Sequence, residues 1–406
     1  MTQHVLIIGA GQAAIQLIDT LRRKGHRGQI TMVGEEPHLP YQRPPLSKKY
    51  LAGSLERDRL TIRHGAYFEE HGVTTLRGQR ALGIDRSAHS VLLDDGCKLG
   101  YDALVLATGS RSRELTVPGA LLGGVHCLRN IADADQLRAL AQPTARLVVI
   151  GGGYIGLEAA ATCRELGVEV TVLEMADRVM NRVVCEPVSR FYAATHAGHG
   201  VNIHTGVKLE ALLGDHSGQV CAARCADGSE YPADFVLVGI GVLAEDRLAA
   251  ASGLEVANGI VVDEHCRSSD PAIWAIGDCA NQFSIHYQRR VRLESVDNAF
   301  EQGTTAALSI LGMPLPHDKV PWFWSDQYDI KLIIVGLSQD HDAVVLRGDP
   351  ARRAFSACYL RGGELIAIDT INNARDQMAA RKLIAAHFRP NAVKLADSAI
   401  ALKDCV

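Results

Sequence analysis

The sequence predicts an α/β protein with two parallel-sheet domains and a small α+β domain at its C-terminal end. Two observations predict the parallel sheets. A strand–helix–strand alternation fills residues 4–35 and returns in residues 146–174. In both stretches a glycine-rich turn joins the first strand to the helix. A third observation predicts the last domain, because four strand-like stretches after residue 316 precede a single helix.

The first glycine-rich turn begins at Gly9, directly after the apolar run of residues 5–8. In such a turn the first glycine makes the bend, the second, Gly11, lets a diphosphate approach the backbone, and a small third residue, Ala14, lets the helix pack on the strand. The diphosphate accepts hydrogen bonds from free N–H groups at the helix N-terminus. Glu35 ends the next strand, where an acidic side chain is expected to bind a ribose. The pattern predicts a Rossmann-like dinucleotide site.

The second turn repeats this pattern with Gly151, Gly153 and Gly156 after the apolar run of residues 147–150. Glu174 ends the following strand and is the second candidate ribose ligand. Both units also close with a similar apolar strand, which runs into Gly109 in the first unit and Gly241 in the second. Two such units predict two bound dinucleotides, and we interpret them as a flavin and the nicotinamide nucleotide that reduces it.

The other predicted elements divide the chain into domains. Residues 110–118 form a linker, residues 271–278 a short strand ending in Gly-Asp, residues 296–311 a helix and residues 312–316 a boundary. The last strands are expected at 331–337, 343–348, 355–361 and 364–370, before a helix near 376–387. We therefore expect one discontinuous domain of residues 1–110 and 242–316, a second of residues 111–241 and a C-terminal domain of residues 317–406.

Composition excludes several classes of function. The chain has 406 residues, of which 47% are apolar and 22% charged, as is typical of a soluble globular enzyme. A net charge of −4 gives no attraction to nucleic acid or anionic membranes, and no apolar run reaches transmembrane length. The ten cysteines form no C-x-x-C motif, and no His/Cys spacing resembles a metal site. Cys221 and Cys225 fall on one predicted strand, roughly 13 Å apart, so we expect reduced thiols in a cytoplasmic protein.

The segment of residues 39–48 bears on the route of the electrons. Dithiol flavoenzymes carry a redox-active C-x4-C about here, yet this chain has no cysteine before Cys97. Without a thiol relay, electrons have to leave the flavin directly.

Taken together, the motifs resemble the FAD-dependent, NADH-using ferredoxin reductases of cytochrome P450 and aromatic-ring oxygenase systems. The resemblance covers essentially the whole chain, and Phe-Trp-Ser-Asp-Gln at residues 323–327 is its most specific signature. The other matching segments are residues 44–48, 107–109, 148–158, 275–280 and 294–299. This family implies a glutathione-reductase-like fold, with FAD in the first domain, NADH in the second and the α+β domain at the C-terminus.

The resemblance also implies roles for individual residues. The residues implied for FAD are Gly9, Gly11, Ala13, Ala14, Glu35, Arg43, Lys48, Ala81, Thr108, Gly109, Arg129, Gly277, Asp278 and Val296. Those implied for NADH are Gly151, Gly153, Tyr154, Ile155, Gly156, Glu174, Arg182 and Gly241. Lys48, Glu158 and Trp324 are implied as the catalytic residues.

Each of these side chains also has a purely structural interpretation. Lys48 would then be a solvated lysine, Asp278 a helix cap, and Arg43 and Arg129 members of surface ion pairs. Glu158 would only complement a helix dipole. Trp322 and Trp324 would be core aromatics, and the basic run Arg289, Arg290 and Arg292 would be a solvated face rather than a docking surface for an acidic ferredoxin.

The predicted function is an NADH:ferredoxin oxidoreductase that passes single electrons to a [2Fe-2S] ferredoxin, which in turn feeds a cytochrome P450 or oxygenase. We expect a monomer or weak dimer. The alternatives within this frame are a rubredoxin or monodehydroascorbate reductase, and an NADH oxidase or peroxidase, of which the peroxidase would need a cysteine near residues 40–48. A redox-sensing flavoprotein related to apoptosis-inducing factor is expected to carry a targeting segment or long insertions, and the sequence shows neither.

Overall fold

The computed structural model describes residues 3–406 as two compact units. Unit 1 contains residues 3–42, 58–111 and 242–319, and unit 2 contains residues 43–57, 112–241 and 320–406. The glycine-rich turn at Gly9 belongs to unit 1, and the turn at Gly151 belongs to unit 2. Each unit therefore holds one of the two predicted dinucleotide-binding sheets.

The helices and strands are numbered in chain order. Up to residue 112 they are β1 Val5–Ile8, α1 Gln12–Arg23, β2 Ile30–Gly34, α2 Gly65–Glu70, β3 Val73–Arg77, β4 Ala81–Asp85, β5 Ser90–Leu93, β6 Lys98–Gly100, β7 Ala103–Leu106 and β8 Ser110–Ser112. Up to residue 241 they are β9 Val125–His126, α3 Ile131–Leu140, β10 Arg146–Ile150, α4 Tyr154–Glu165, β11 Glu169–Glu174, α5 Glu186–Gly198, β12 Asn202–Thr205, β13 Leu209–Gly214, β14 Val220–Cys225, β15 Glu230–Pro232 and β16 Phe235–Val238.

The remaining elements follow residue 241. They are β17 Val242–Ala244, α6 Arg247–Ala251, β18 Ile260–Val262, β19 Ile273–Ala275, β20 Ala280–Ser284, β21 Arg289–Val291, α7 Val296–Ile310, β22 Trp322–Gln327, β23 Ile330–Gly336, β24 Ala343–Asp349, β25 Ala354–Arg361, β26 Glu364–Ile371, α8 Ala374–Ala385 and α9 Ala392–Ala396. Short 3-10 helices lie at Pro44–Ser47, Arg57–Leu60, Gly277–Cys279, Pro350–Arg352 and Leu402–Asp404.

Unit 1 is built on a five-stranded parallel sheet with the order β19-β7-β1-β2-β3. Val5 of β1 pairs with Ile30 on one side and Ala103 on the other. All four residues of β1 are buried, as expected for a central parallel strand covered on both faces. The helix α1 packs against α7, and the amide of Gln16 donates to the hydroxyl of Thr304 at 2.9 Å. The end of β1, between β7 and β2, is where a parallel sheet of this kind binds its ligand.

Unit 2 contains a second parallel sheet, with the order β12-β11-β10-β16-β9. Here β10 takes the central place, and Leu147 pairs with Val170 of β11 and Phe235 of β16. The helix α4 follows β10 as α1 follows β1. The structure therefore confirms the repeat of two Rossmann-like sheets.

The C-terminal residues of unit 2 form an antiparallel sheet with the order β22-β23-β26-β25-β24, against which α8 packs. The four predicted strands and the helix are all present. The sequence analysis missed β22, because Trp322–Gln327 lacks the alternation of apolar and polar residues that indicates a half-buried strand. The predicted α+β architecture is confirmed.

The compact units group residues 43–57 differently from the predicted domains. The sequence analysis placed these residues in the first domain, whereas they are grouped with unit 2. Their contacts in that unit include Tyr50, which donates to Asp135 at 2.6 Å, and Ser47 and Lys48, which both donate to Glu158 at 2.6 Å. The C-terminal domain also groups with residues 112–241 in one unit, although its sheet is separate.

Two further features concern the cysteines and the length of the helices. All ten cysteines are free thiols, seven of them buried, and Cys221 and Cys225 both lie on β14 as predicted. In residues 3–406 no helix combines the length and hydropathy that a membrane crossing requires.

Candidate functional site

The first glycine-rich turn connects β1 to α1 in a conformation that suits a diphosphate. Gly9 has a φ of 116°, and a Cβ placed on it would lie 2.0 Å from the carbonyl oxygen of Ala107. A Cβ at Gly11 would meet nothing within 4 Å, so the backbone there is open. Gly11 is also the N-cap of α1, and no side chain caps this helix. Open backbone and free N–H groups are what a dinucleotide diphosphate needs.

Asp278 is brought against the same turn by the 3-10 helix Gly277–Cys279. A Cβ on Gly277 would lie 3.3 Å from the Cβ of Ala13, and the N–H of Gly277 donates to Gln302 of α7 at 2.8 Å. The carboxylate of Asp278 accepts from the hydroxyl of Ser110 at 2.8 Å. Asp278 is therefore not the cap of this helix, since Ile276 occupies the N-cap position.

The remaining residues implied for FAD in unit 1 lie around this turn or at the ends of adjacent strands. Thr108 donates its hydroxyl to the carbonyl of Glu245 at 2.5 Å, and the carbonyl of Gly109 accepts from the N–H of Glu245 at 2.9 Å. Glu35 follows β2 and is exposed, with its carboxylate 3.7 Å from the guanidinium of Arg80. Arg80 in turn precedes Ala81, the first residue of β4. Val296 is the first residue of α7.

The second glycine-rich turn repeats the geometry of the first. Gly151 has a φ of 101°, and a Cβ on it would lie 2.6 Å from the carbonyl oxygen of Gly239. A Cβ at Gly153, the uncapped N-cap of α4, would meet nothing within 4 Å. Gly156 has no such room, because a Cβ there would lie 2.5 Å from the carbonyl oxygen of Gly151. The turn fits a diphosphate, and the tight helix–strand packing explains the third glycine.

Two predicted NADH ligands have defined positions in unit 2: Glu174 lies beside this turn, and Arg182 lies beside Gly241. Glu174 accepts from the backbone N–H of Gly152 at 2.6 Å and of Ala176 at 2.7 Å. The guanidinium of Arg182 would lie 3.5 Å from a Cβ on Gly241. Ile155, another predicted NADH ligand, follows Tyr154 in the first turn of α4, and its side chain is exposed.

Glu158 is the centre of a buried polar cluster in unit 2. It lies in the second turn of α4 and is 4% exposed. One carboxylate oxygen accepts from the hydroxyl of Ser47 and the ammonium of Lys48, both at 2.6 Å, and the other accepts from the hydroxyl of Ser325 at 2.7 Å. The structural interpretations fail for two of these residues: Lys48 is bound in an ion pair, and Glu158 does more than complement the helix dipole.

The other residues implied for the site have these positions in unit 2. The guanidinium of Arg43 donates to the carbonyl of Arg129 at 2.7 Å, so these two residues are brought together, although not as members of one ion pair. Trp324 is half-buried in β22, with its ring 5.5 Å from that of Trp322. The neighbouring Phe323 lies 4.9 Å from the ring of Tyr154. The aromatic strand is therefore next to the second glycine-rich turn.

Side chains of the predicted basic run form contacts within unit 1. The side chain of Arg292 is only 9% exposed and lies 2.7 Å from Glu294, and it also donates to the carbonyl of Asp278 at 3.1 Å. The guanidinium of Arg290 donates to the carbonyl of Asn281 at 3.0 Å. Arg292 therefore supports the 3-10 helix of unit 1 rather than a docking surface.

Several residues of the two sites were not found from the sequence. They are Arg80, Ser110, Glu245, Gln302, Ser47 and Ser325. Each makes a contact between segments that are distant in sequence. Ser47 and Ser325 lie in the matching segments 44–48 and 323–327, but those motifs do not indicate which residues they contact.

Comparison with known proteins places this geometry in a family. Residues 3–303 match the family described as pyridine nucleotide-disulphide oxidoreductase, and residues 322–406 match the family described as reductase C-terminal. The chain belongs to the pyridine nucleotide-disulphide oxidoreductase family. Its membership confirms the fold class expected from the two glycine-rich turns.

Relatives within this family confirm the narrower resemblance. The putidaredoxin reductase of Pseudomonas putida is 40% identical over 407 residues, which cover 99% of this chain and 96% of that protein. The rhodocoxin reductase of Rhodococcus erythropolis is 43% identical over 401 residues, which cover 98% of this chain and 93% of that protein. A chain of the covalent putidaredoxin reductase–putidaredoxin complex superposes with a TM-score of 0.96, at 40% identity and with 99% and 97% coverage of the two chains.

Proposed function

We propose that the protein is an NADH-dependent flavoprotein reductase that passes electrons one at a time to a [2Fe-2S] ferredoxin serving a cytochrome P450 or oxygenase. The observation that carries the proposal is the pair of glycine-rich turns with the same geometry, one in each unit. The relatives support it, since one is named a putidaredoxin reductase and the other a rhodocoxin reductase.

The residues of each unit fit the dinucleotide assigned to it. In unit 1 the turn at Gly9 and Gly11 would hold the FAD diphosphate, Glu35 the adenosine ribose, and Asp278 the ribityl hydroxyls. In unit 2 the turn at Gly151 and Gly153 would hold the NADH diphosphate. FAD, when bound, supplies chemistry that no side chain has: it takes two electrons from NADH together and releases them singly.

The family resemblance implies a catalytic role for Lys48 and Glu158, which form an ion pair in unit 2. The side chain of Lys48 is 18% exposed, and its ammonium is held by Glu158 and by the carbonyl of Pro44 at 3.2 Å. A fixed positive charge would stabilise the negative charge that reduction adds to a flavin. The family resemblance likewise assigns Arg43 and Arg129 to FAD, and Arg182 to NADH.

The same segment argues against a disulfide reductase. Where a flavin-adjacent dithiol would lie, this chain has Pro44, Ser47 and Lys48, and the sequence has no cysteine before Cys97. All ten cysteines being free thiols supports the expected cytoplasmic location. A monomer or weak dimer stays our prediction for the oligomeric state.

The test is NADH-dependent reduction of cytochrome c by the FAD-loaded protein, with and without each of a panel of purified [2Fe-2S] ferredoxins. We expect at least one ferredoxin to accelerate the reduction well above the rate without a carrier. A rubredoxin and monodehydroascorbate are included as competing acceptors.

Two outcomes contradict the proposal. Faster turnover with rubredoxin or monodehydroascorbate than with every ferredoxin would favour the corresponding reductase. Slow reduction of all acceptors, with a long-lived complex between NAD+ and the reduced protein, would favour a redox-sensing flavoprotein.

A further inference from the structure

A continuous row of buried polar side chains runs through unit 2 from α4 to α5 by way of β22. The hydroxyl of Ser325 lies 2.7 Å from Oε1 of Glu158 and 3.1 Å from Nε2 of Gln327. Oε1 of Gln327 lies 2.8 Å from Nε2 of His196, and the hydroxyl of Tyr328 lies 3.3 Å from Nδ1 of His196. Ser325, Gln327 and His196 are at most 1% exposed. Polar groups buried this deeply are costly unless each is hydrogen-bonded.

The direction of every hydrogen bond in this row follows from its first member. A carboxylate paired with an ammonium can only accept, so the hydroxyl of Ser325 donates to Glu158. The amide nitrogen of Gln327 then donates to the oxygen of Ser325, which turns Oε1 of Gln327 towards His196.

His196 continues this row of hydrogen bonds. An amide oxygen only accepts, so Nε2 of His196 carries the proton. Burial lowers the pKa of His196 to about 4, so the ring is neutral near pH 7 and its Nδ1 accepts from the hydroxyl of Tyr328. All four hydrogen bonds therefore point towards Glu158, and donors aligned in one direction strengthen one another.

Two separate segments fix the carboxylate of Glu158. Oε2 accepts from Ser47 and Lys48 of the segment 43–57, whereas Oε1 accepts from Ser325 of the C-terminal sheet. Removal of either set would leave one oxygen of a buried carboxylate without its donor and free the group to rotate.

We propose that Ser325 and Gln327 are positioning residues for the Lys48–Glu158 pair, so that the C-terminal domain takes part in binding NADH. The inference rests on the proposed function and on the family resemblance, which implies that Glu158 lies near the nicotinamide of bound NADH. Neither Ser325 nor Gln327 touches the dinucleotide in this account, because both act through Glu158.

The experiment compares Ser325→Ala with Ser356→Ala in the FAD-loaded protein. Ser356 is a matched control because it is also 0% exposed in the C-terminal sheet, but its hydroxyl donates to Asp376 at 2.9 Å. Binding of NAD+ is measured by isothermal titration calorimetry, FAD content by absorbance, and stability by thermal unfolding. We expect Ser325→Ala to raise the Kd for NAD+ on the order of tenfold, with FAD content unchanged, and Ser356→Ala to lower the Tm without changing that Kd.

A second measurement keeps the inference testable if Ser325→Ala folds poorly. Gln327→Met preserves the shape of the side chain but interrupts the row. The nitrogen chemical shifts of His196 should report a proton on Nε2 in the wild type, and the Kd for NAD+ should rise in Gln327→Met, by less than in Ser325→Ala.

The outcomes separate this inference from the proposed function. An unchanged Kd in both Ser325→Ala and Gln327→Met, or an equal rise in Ser356→Ala, overturns the positioning role. If the wild type binds NAD+ and the variants weaken it as expected, but no ferredoxin accepts electrons, the positioning role stands and the proposed partner is wrong.

Discussion

The first prediction at the scale of single residues concerns Asp278. Its carboxylate accepts from Ser110 at 2.8 Å and its helix lies against Ala13 of the first glycine-rich turn. In the proposed function it also accepts from the ribityl chain of FAD. Asp278→Ala should weaken FAD binding by about 1.5–3 kcal/mol, the value of a hydrogen bond to a charged group. The Kd of FAD for the flavin-free protein, from quenching of flavin fluorescence, measures this loss.

A control for Asp278→Ala is Asp85→Ala, which removes an exposed carboxylate of unit 1 that accepts from the hydroxyl of Ser87. Equal FAD affinity in wild type and Asp278→Ala would remove Asp278 from the proposed site.

Glu174 carries the prediction for coenzyme choice. Its carboxylate stands beside the second glycine-rich turn, and the nearby Asp177 is exposed. A 2′-phosphate would meet the negative charge of both groups, so we expect a higher kcat/KM for NADH than for NADPH. Glu174→Ala should bring the kcat/KM values for NADH and NADPH closer together. It should also raise the KM for NADH, because the N–H of Gly152 loses its acceptor. Steady-state kinetics with both coenzymes check this, and equal use of both by the wild type would refute it.

Asp369 carries the prediction for pH dependence. It is fully buried in β26 and accepts from the hydroxyl of Tyr359, while its other oxygen has no partner in residues 3–406. Burial raises the pKa of Asp369 from 3.8 to about 7. The folded state therefore holds this proton more tightly than the unfolded state does. The resulting stability is fully present below about pH 4 and is lost as the pH rises to about 7.

The isosteric Asp369→Asn substitution isolates this contribution. The difference in unfolding free energy between Asp369→Asn and wild type should rise between about pH 4 and pH 7 and stay constant at higher pH. Urea unfolding at a series of pH values, with FAD in excess, gives the difference. A pH-independent difference would show that Asp369 titrates normally.

At this scale the sequence identified residues whose spacing obeys a local rule. Glu174 stands at a fixed distance after a glycine-rich turn, so a pattern was enough to propose it, whereas the role of Asp278 was implied by the family resemblance. Ser325 and His196 could not be found in this way. They meet Gln327 and Glu158 through pairing of distant segments, and a lone serine or histidine carries no signal of such a contact.

At the scale of elements, local patterns predicted the central strands and the first helix of both parallel sheets, together with α7, α8 and four strands of the C-terminal sheet. The buried runs of β1 and β10 are continuous apolar stretches, and α1 and α4 begin where the glycines end. The 3-10 helix Pro44–Ser47 was expected in the first domain and is grouped with unit 2. Lys48 and Tyr50, which follow this helix, make contacts with Glu158 and Asp135 that no local pattern indicates.

The element-scale prediction concerns how β24 holds the end of the chain. Arg347 of β24 is 1% exposed and lies 2.8 Å from the carboxylate of Asp376 on α8. Its guanidinium also donates to the carbonyls of Leu395 at 3.1 Å, Asp397 at 2.6 Å and Ile400. Arg347→Met leaves a buried carboxylate without its cation, which should cost about 3–5 kcal/mol of stability.

Hydrogen exchange should localise this loss to residues 392–406, and urea unfolding should give its size. Arg352→Met is the control, because the side chain of Arg352 is 87% exposed and its ion pair with Asp349 is at the surface. Similar effects of the two substitutions would show that Arg347 does not hold the C-terminal residues.

At the scale of the whole molecule, the net charge of −4 makes a local basic surface the expected target of an acidic ferredoxin. The basic run was the charged feature that the sequence suggested for that surface. Arg292 is now assigned to an internal role, which leaves Arg289 and Arg290 to test. No pattern in one chain could identify the docking surface, because it depends on the charges of a second protein.

Arg289→Glu/Arg290→Glu should therefore raise the apparent KM for the ferredoxin and leave reduction of the FAD-loaded protein by NADH unchanged in stopped-flow measurements. Charge steering acts mainly on the association rate and is screened within roughly 10 Å at 0.1 M salt, so the effect should be largest at low ionic strength. Arg190→Glu/Arg352→Glu changes the net charge by the same amount at side chains that are 79% and 87% exposed. If both double variants raise the KM equally, the effect comes from overall charge. If the first leaves ferredoxin turnover unaffected at low salt, the two arginines are a solvated face and the ferredoxin docks elsewhere.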